Sequence, residues 1–501
     1  MDRSDRVPRR APAHPAAAIA HLAPRAALLA LALATAGCAS NPATGKSQLN
    51  FYSEAEEIAM GRQADEEISG EMPMVDDPGL QRYVRDLGLR LAATSERPHL
   101  PWSFKVMDDP EVNAFALPGG FVYVTRGILG HLTSEAELAG VIGHEIGHVT
   151  AQHGVNQLSK QQLAGGGLLL GMILVPELAE VADAASLGLG ALFLKYSRDD
   201  ERQADDLGLR YIAGSGYEVR ELPKVFALLG KVGTAEKGGR VPNWLSSHPD
   251  PGAREARAAT LIAERAYPAG EIAASALLQQ LDGLAFGPDP RQGFFENGVF
   301  YHPALAFQLR LPEGWQSANE VKQVVAMHPE EIAMVQLQLS PAASAAEAAR
   351  SFVAEEGIAG AAQGRSRVHG LAAERVDFSI AGETGETLPG RALFIEHSGR
   401  VFALFGLAVD KRWPEVAGAI DAALASFAPL TDPERLAAEP QRLELVELPQ
   451  TMSFDEFLAR YPSATPAATV ALINGVSDPA RPLAAGTLLK RVVGRRFGGA
   501  P

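Results

Sequence analysis

One cysteine in 501 residues is too few for a disulfide framework and rules out a metal site built on several thiolates. Basic side chains are also in deficit. The 45 Lys and Arg against 60 Asp and Glu leave a formal charge of −15, which argues against nucleic acid or an anionic lipid surface as partner. Long apolar runs are missing too: Ala26 to Ala36 and Gly165 to Val175 are the richest stretches, and both fall short of the ~20 residues that a membrane-spanning helix needs. What remains is ordinary globular material. With 47% apolar and 21% charged residues, the chain can bury cores in about two to four domains.

The chemistry concentrates in Val141-Ile-Gly-His144-Glu145-Ile-Gly-His148-Val149, an H-E-x-x-H segment inside an apolar run. Four residues make slightly more than one helical turn, so His144 and His148 project from one face and can grip a single metal ion, with Glu145 beside it. A hydrolytic zinc takes three protein ligands and keeps a fourth position for water, whose proton a neighbouring carboxylate can take. The spacing predicts the helix itself. Ser134 and Glu137 have the separation of a capping box, and Leu138, Val141, Ile142 and Val149 continue an apolar stripe. Gly140, Gly143 and Gly147 interrupt it, each costing about 1 kcal/mol against alanine. They are expected where another backbone packs against this helix.

The third ligand is not a nearby histidine. After His148 the chain reads Val-Thr-Ala-Gln-His153-Gly, which lacks the second Gly-x-x-His of a three-histidine metzincin site. A carboxylate is expected instead, and Ser197-Arg-Asp-Asp-Glu201-Arg-Gln-Ala-Asp205 supplies two acids one turn apart. One of them suits the metal, and the other suits the free ring nitrogen of a ligand histidine. H-E-I-G-H followed by S-R-x-x-E-x-x-A-D resembles the M48 family of zinc metalloendopeptidases. So do Asn113-Ala-Phe115-Ala-Leu-Pro118-Gly119-Gly120 upstream and Ser247-His248-Pro249 with Arg254 downstream.

The resemblance runs from Ser40 to Arg265 and implies an α+β chain opening with a mostly helical, zincin-type domain that holds a small edge-strand sheet. It implies Zn2+ on His144, His148 and Glu201, Glu145 as general base and then acid, and Asp205 orienting a ligand histidine. It further implies His248 and Arg254 at the transition state, and substrate along the edge strand at Asn113, Ala114, Phe115 and Ala116. In some members of the family the histidine equivalent to His248 caps the metal, which keeps a latent or chaperone-like protein open as an alternative. His131 and His153 are read as structural.

Residues 1–37 read as an export signal, in which Arg6, Arg9, Arg10 and Arg25 precede the apolar run. Thr35-Ala36-Gly37-Cys38 resembles a bacterial lipoprotein signal, which implies lipidation of Cys38; a plain signal peptide is the alternative. Ala39-Ser40 lacks the aspartate that retains such proteins at the inner membrane, so the resemblance points to the periplasmic face of the outer membrane.

Residues 38–275 are expected as the metallopeptidase domain, with the glycine-rich stretch Leu163–Tyr196 as a buried hairpin or a lid. A linker is expected over 276–295, and a small α+β domain over 296–430 that is similar to the PsbP-like fold and serves as a partner-binding or spacer module. Residues 431–501, with Phe454 to Tyr461, Leu472-Ile473-Asn474-Gly475 and Leu483 to Lys490, resemble a LysM module. The implied partners are unfolded or misassembled envelope polypeptides, peptidoglycan through the last module, and the membrane through the lipid anchor, with no nucleic acid. A cell-wall adaptor working through the C-terminal domains is the further alternative.

Overall fold

The structure, a computed structural model, describes residues 38–174, 196–235, 248–381 and 387–498. The signal over 1–37, Ser247 and residues 175–195 of the expected lid lie outside them. Two compact units divide the chain. The first takes Met1–Met107, Asn113–Val124 and Ser134–Ala273; the second takes Asp108–Val112, Thr125–Thr133 and Ala274–Pro501.

In the first unit a short hairpin, β1 (Cys38–Ser40) and β2 (Ser47–Leu49), leads into α1 (Glu54–Glu71) and α2 (Pro78–Ala92). Ser53 opens α1 in a reciprocal capping box with Glu56, and Asp77 opens α2 by accepting from the N–H groups of Gly79 and Leu80. α2 buries Leu80, Val84, Leu87 and Leu91. A three-stranded sheet follows, β3 (Ser103–Met107), β4 (Ala114–Leu117) and β5 (Phe121–Thr125), in the order β3-β5-β4, so β4 is an edge. The turn between β4 and β5 lies hard against α1. A Cβ on Gly61 would come within 1.9 Å of Pro118 O, and one on left-handed Gly119 within 2.6 Å of Ile58 Cα.

After α3 (Arg126–His131), which belongs to the second unit, the first unit resumes with α4 (Glu135–Thr150), whose N-cap Ser134 accepts from Glu137 N–H and whose every residue is buried. α5 (His153–Leu174), α6 (Arg198–Gly214), α7 (Leu222–Ala235) and α8 (Pro251–Arg265) complete the unit. α4 and α6 meet backbone to backbone: a Cβ on Gly147 would stand 2.9 Å from Ala204 O, and one on Gly208 3.2 Å from His144 N. That contact is what the glycines in the metal helix are for.

The main segment of the second unit, from Ala274 onward, opens with α9 (Ala274–Leu281) and β6 (Ala285–Phe286). Residues 276–295, expected as a linker, hold most of α9 and all of β6. Leu277, Leu278 and Leu281 are buried, and β6 pairs with a strand near the C-terminus.

β7 (Phe294–Glu296), β8 (Val299–His302) and β9 (Phe307–Arg310) form a second sheet. A seven-stranded antiparallel sheet then runs from β10 (Gln316–Asn319), β11 (Gln323–Met327) and β12 (Ala333–Ser340) to β13 (Ile358–Val368), β14 (Leu371–Ala381), β15 (Thr387–His397) and β16 (Arg400–Ala408). Its helices are α10 (Ala345–Val353) and α11 (Trp413–Ala425), and Val335, Leu337, Phe402 and Ile420 share one core with Phe300 and Phe307.

The chain ends as a β-α-α-β arrangement, β17 (Gln441–Glu447), α12 (Phe454–Arg460), α13 (Ala467–Ile473) and β18 (Leu488–Val493), with its two strands antiparallel. Lys490 is wholly buried there, and its ammonium donates to the carbonyls of Gly130, at 2.9 Å, and Leu132, at the C-terminal end of α3. Among the described residues no helix is long and apolar enough to cross a membrane.

Candidate metal centre

One turn of α4 aims two imidazoles at one point. His144 Nε2 and His148 Nε2 stand 2.9 Å apart, and Glu201 from the first turn of α6 closes on them, with Oε1 3.4 Å from His148 Nε2 and Oε2 3.6 Å from His144 Nε2. A fourth donor joins from the chain before α8. Asp250, left-handed at φ +69°, turns His248 inward, so that its Nδ1 lies 3.0 Å from Glu201 Oε1 and 3.3 Å from His144 Nε2. His144, His148, Glu201 and His248 are all buried and offer ligand atoms within 4.8 Å of one another. Donors about 2.0–2.1 Å from a common centre at tetrahedral angles lie ~3.3 Å apart, so this spacing fits zinc.

The electrostatics agree with a metal-binding state. Burial pushes His144 and His148 below the ordinary histidine range, which favours the neutral form that ligates. Burial works to raise Glu201, but the charge of His248 and hydrogen bonds from His148 and His248 outweigh it and hold the carboxyl well below its usual value. Glu145 is different. Burial raises it to about 7, against the pull of His248, whose Nε2 is 3.7 Å from Oε1. Neither Glu145 oxygen has a hydrogen-bond partner among the described residues.

Asp205, one turn after Glu201, lies 3.0 Å from His144 Nδ1, on the far side of that ring from the donor cluster. Arg254 was expected at the transition state, and the structure gives it other partners: Nε and one outer nitrogen reach Asp205 at 3.0 and 2.6 Å, and the other outer nitrogen lies 2.8 Å from Glu201 Oε2. Its guanidinium also stacks over Phe226 at 4.4 Å. Asn113, just before the edge strand β4, and Ala114 on it are buried, and Phe115 and Ala116 on β4 are half-buried, with Phe115 stacked on Tyr123. His131 keeps to a structural place, its Nδ1 2.7 Å from Gly127 O.

Tyr196 escaped the sequence reading. Its ring stacks on His148 at 4.0 Å between centroids. The one signal for it was its place just ahead of Ser197, the N-cap of the helix that carries Glu201.

Two histidines on one helix, a glutamate from a second, a third histidine and the buried Glu145 carboxylate beside them make the donor set of a zinc metallopeptidase. Residues 78–262 match the family described as Peptidase family M48. The chain is 37% identical over 188 residues to the mitochondrial metalloendopeptidase OMA1 of Arabidopsis thaliana, covering 37% of this chain and 36% of that one. It is 29% identical over 226 residues to the beta-barrel assembly-enhancing protease of Escherichia coli strain K12, covering 43% and 46%. The chain thus spans less than half the length of either relative. Among solved structures, the solution structure of cyanobacterial PsbP from Synechocystis sp. PCC 6803 aligns with 26% of this chain and 91% of its own at 14% identity and a TM-score of 0.22, too slight a likeness to assign a fold.

Proposed function

We propose that the chain is a zinc-dependent endopeptidase acting on unfolded or misassembled polypeptides of the cell envelope. The observation that carries this is Glu145: a buried carboxylate next to the donor cluster, without a hydrogen-bond partner among the described residues and with its pKa raised to about 7. Bound zinc lowers the pKa of its water and polarises the peptide carbonyl. Glu145 takes the proton of the attacking water and delivers it to the departing amine, work that contributes about 10²–10⁴-fold. Asp205 holds His144, and Arg254 holds Asp205. An extended substrate pairs with the edge β4, a mode that selects accessible backbone more than sequence.

The envelope setting is supported by the name of the E. coli relative and by the arginine-led signal that ends at Cys38, read as a lipid anchor on the periplasmic side of the outer membrane. The β-α-α-β order of the C-terminus supports a LysM-like contact with peptidoglycan. Glu145→Gln should keep fold and zinc while losing nearly all digestion of casein, and a chelator should silence the wild type. Wild-type proteolysis by the variant would overturn the assignment.

His248 favours a second reading. Four protein donors would saturate a tetrahedral zinc, so His248, at 3.0 Å from Glu201 and 3.3 Å from His144, would take the position that water needs and hold the protein latent. His248→Ala separates the two readings. Turnover rises if the histidine is a cap and falls if it serves the transition state.

A further inference from the structure

His144 and His148 face the donor cluster with Nε2, which leaves each with an Nδ1 held from behind. They are held by different chemistry. His144 Nδ1 lies 3.0 Å from the Asp205 carboxylate, whereas His148 Nδ1 lies 3.0 Å from another imidazole nitrogen, Nδ1 of buried His153. A contact between two ring nitrogens works only when one donates and the other accepts. If His148 offers its Nε2 lone pair to a metal, its proton sits on Nδ1. His153 Nδ1 is then the acceptor, and the proton of His153 sits on Nε2. A partner stands there: Gln203 Oε1, at 2.8 Å.

We propose that His153 and Gln203 are positioning residues for the zinc, a relay running His148 to His153 to Gln203, with Asp200 Oδ1 3.7 Å from His153 Nε2, that fixes the tautomer and orientation of one ligand as Asp205 fixes the other. The backbone is shaped for it. Gln152, at φ +58°, breaks α4 from α5 and turns His153 back toward the helix it has just left. Gln203 lies on α6 between Glu201 and Asp205, so the helix that supplies a ligand also supplies the end of the relay. Because the acceptor is neutral, His148 receives less electron density than His144 and is the more weakly anchored ligand.

The proposal rests on the zinc reading of the site and is tested on the full chain by two readouts other than activity. These are zinc affinity by competition with a chromogenic chelator, and the absorption spectrum of the cobalt-substituted protein. His153→Leu should weaken zinc about 10- to 100-fold and alter the cobalt spectrum. Gln203→Leu should weaken zinc in the same direction by less, and Gln203→Glu, a carboxylate at the end of the relay, should hold zinc at least as tightly as the wild type. Half-buried Gln203 carries the test if His153→Leu loses the fold. Wild-type affinity and spectrum in both leucine variants would overturn the relay and leave His153 as packing. A wild type that binds neither zinc nor cobalt would overturn the metal reading itself.

Discussion

Arg254 holds Asp205 with two nitrogens, Nε 3.0 Å from Oδ2 and an outer nitrogen 2.6 Å from Oδ1, where the residues are 4% and 1% exposed. The pair stands behind His144 and orients that ring, while the remaining outer nitrogen of Arg254 lies 2.8 Å from Glu201 Oε2. Removing the arginine alone strands a buried carboxylate. Arg254→Met should therefore destabilise the metal-free protein by about 3–5 kcal/mol in denaturant unfolding, the usual cost of breaking a buried pair from one side. The double variant with Asp205→Asn should recover much of that loss while still binding zinc poorly. A double variant as unstable as the single one would show that the arginine acts through Glu201 and packing on Phe226 rather than through Asp205.

Much of the site was legible because helix geometry turns spacing into direction. His144 and His148 at i and i+4, Glu201 and Asp205 at i and i+4, and glycines at 143 and 147 each describe one face of one helix, and the structure places those faces together. What could not be read was contact between residues remote in sequence. Nothing around Arg254 announces Asp205 and Glu201 as its partners, and nothing in the last 20 residues announces that Lys490 caps carbonyls at Gly130 and Leu132. The strands of the second unit alternated clearly, as at Val335 and Leu337, while their order across the sheet followed from no local pattern.

Burial makes the second unit acid-sensitive. It pushes His131 and His302 down to about 4, with the Gly127 carbonyl opposing it at His131. Both rings are neutral in the fold, and His302 Nδ1 accepts the N–H of Leu305. Unfolded histidine titrates near 6.5, so between 6.5 and about 4 the unfolded chain binds protons that the fold refuses, and stability falls as pH falls through that window. Above it the two states bind alike and the effect vanishes. Each ring should contribute a loss of roughly 2–4 kcal/mol by pH 4. Unfolding of the wild type, His131→Gln and His302→Gln at pH 7 and 4.5 should show the variants losing less on acidification, and identical losses would refute the assignment.

Gly147 gives the sharpest test of how α4 and α6 build the site. On helix propensity alone, Gly147→Ala should stabilise by about 1 kcal/mol. Its Cβ, however, would meet Ala204 O at 2.9 Å and Ala204 Cα at 3.1 Å, backbone atoms that can move only if α6 moves. Overpacking of this kind costs about 1–3 kcal/mol, so the net change should be a loss. The displaced element carries Glu201, so zinc affinity should fall by more than the stability loss alone explains. Gly418 in α11 is the control: it has nothing within 4 Å of the added atom, and Gly418→Ala should gain about 0.5–1 kcal/mol. Chelator competition and thermal unfolding on the two variants decide the matter. If Gly147→Ala weakened unfolding stability yet held zinc as the wild type does, the spacing of the two helices would not set the metal geometry.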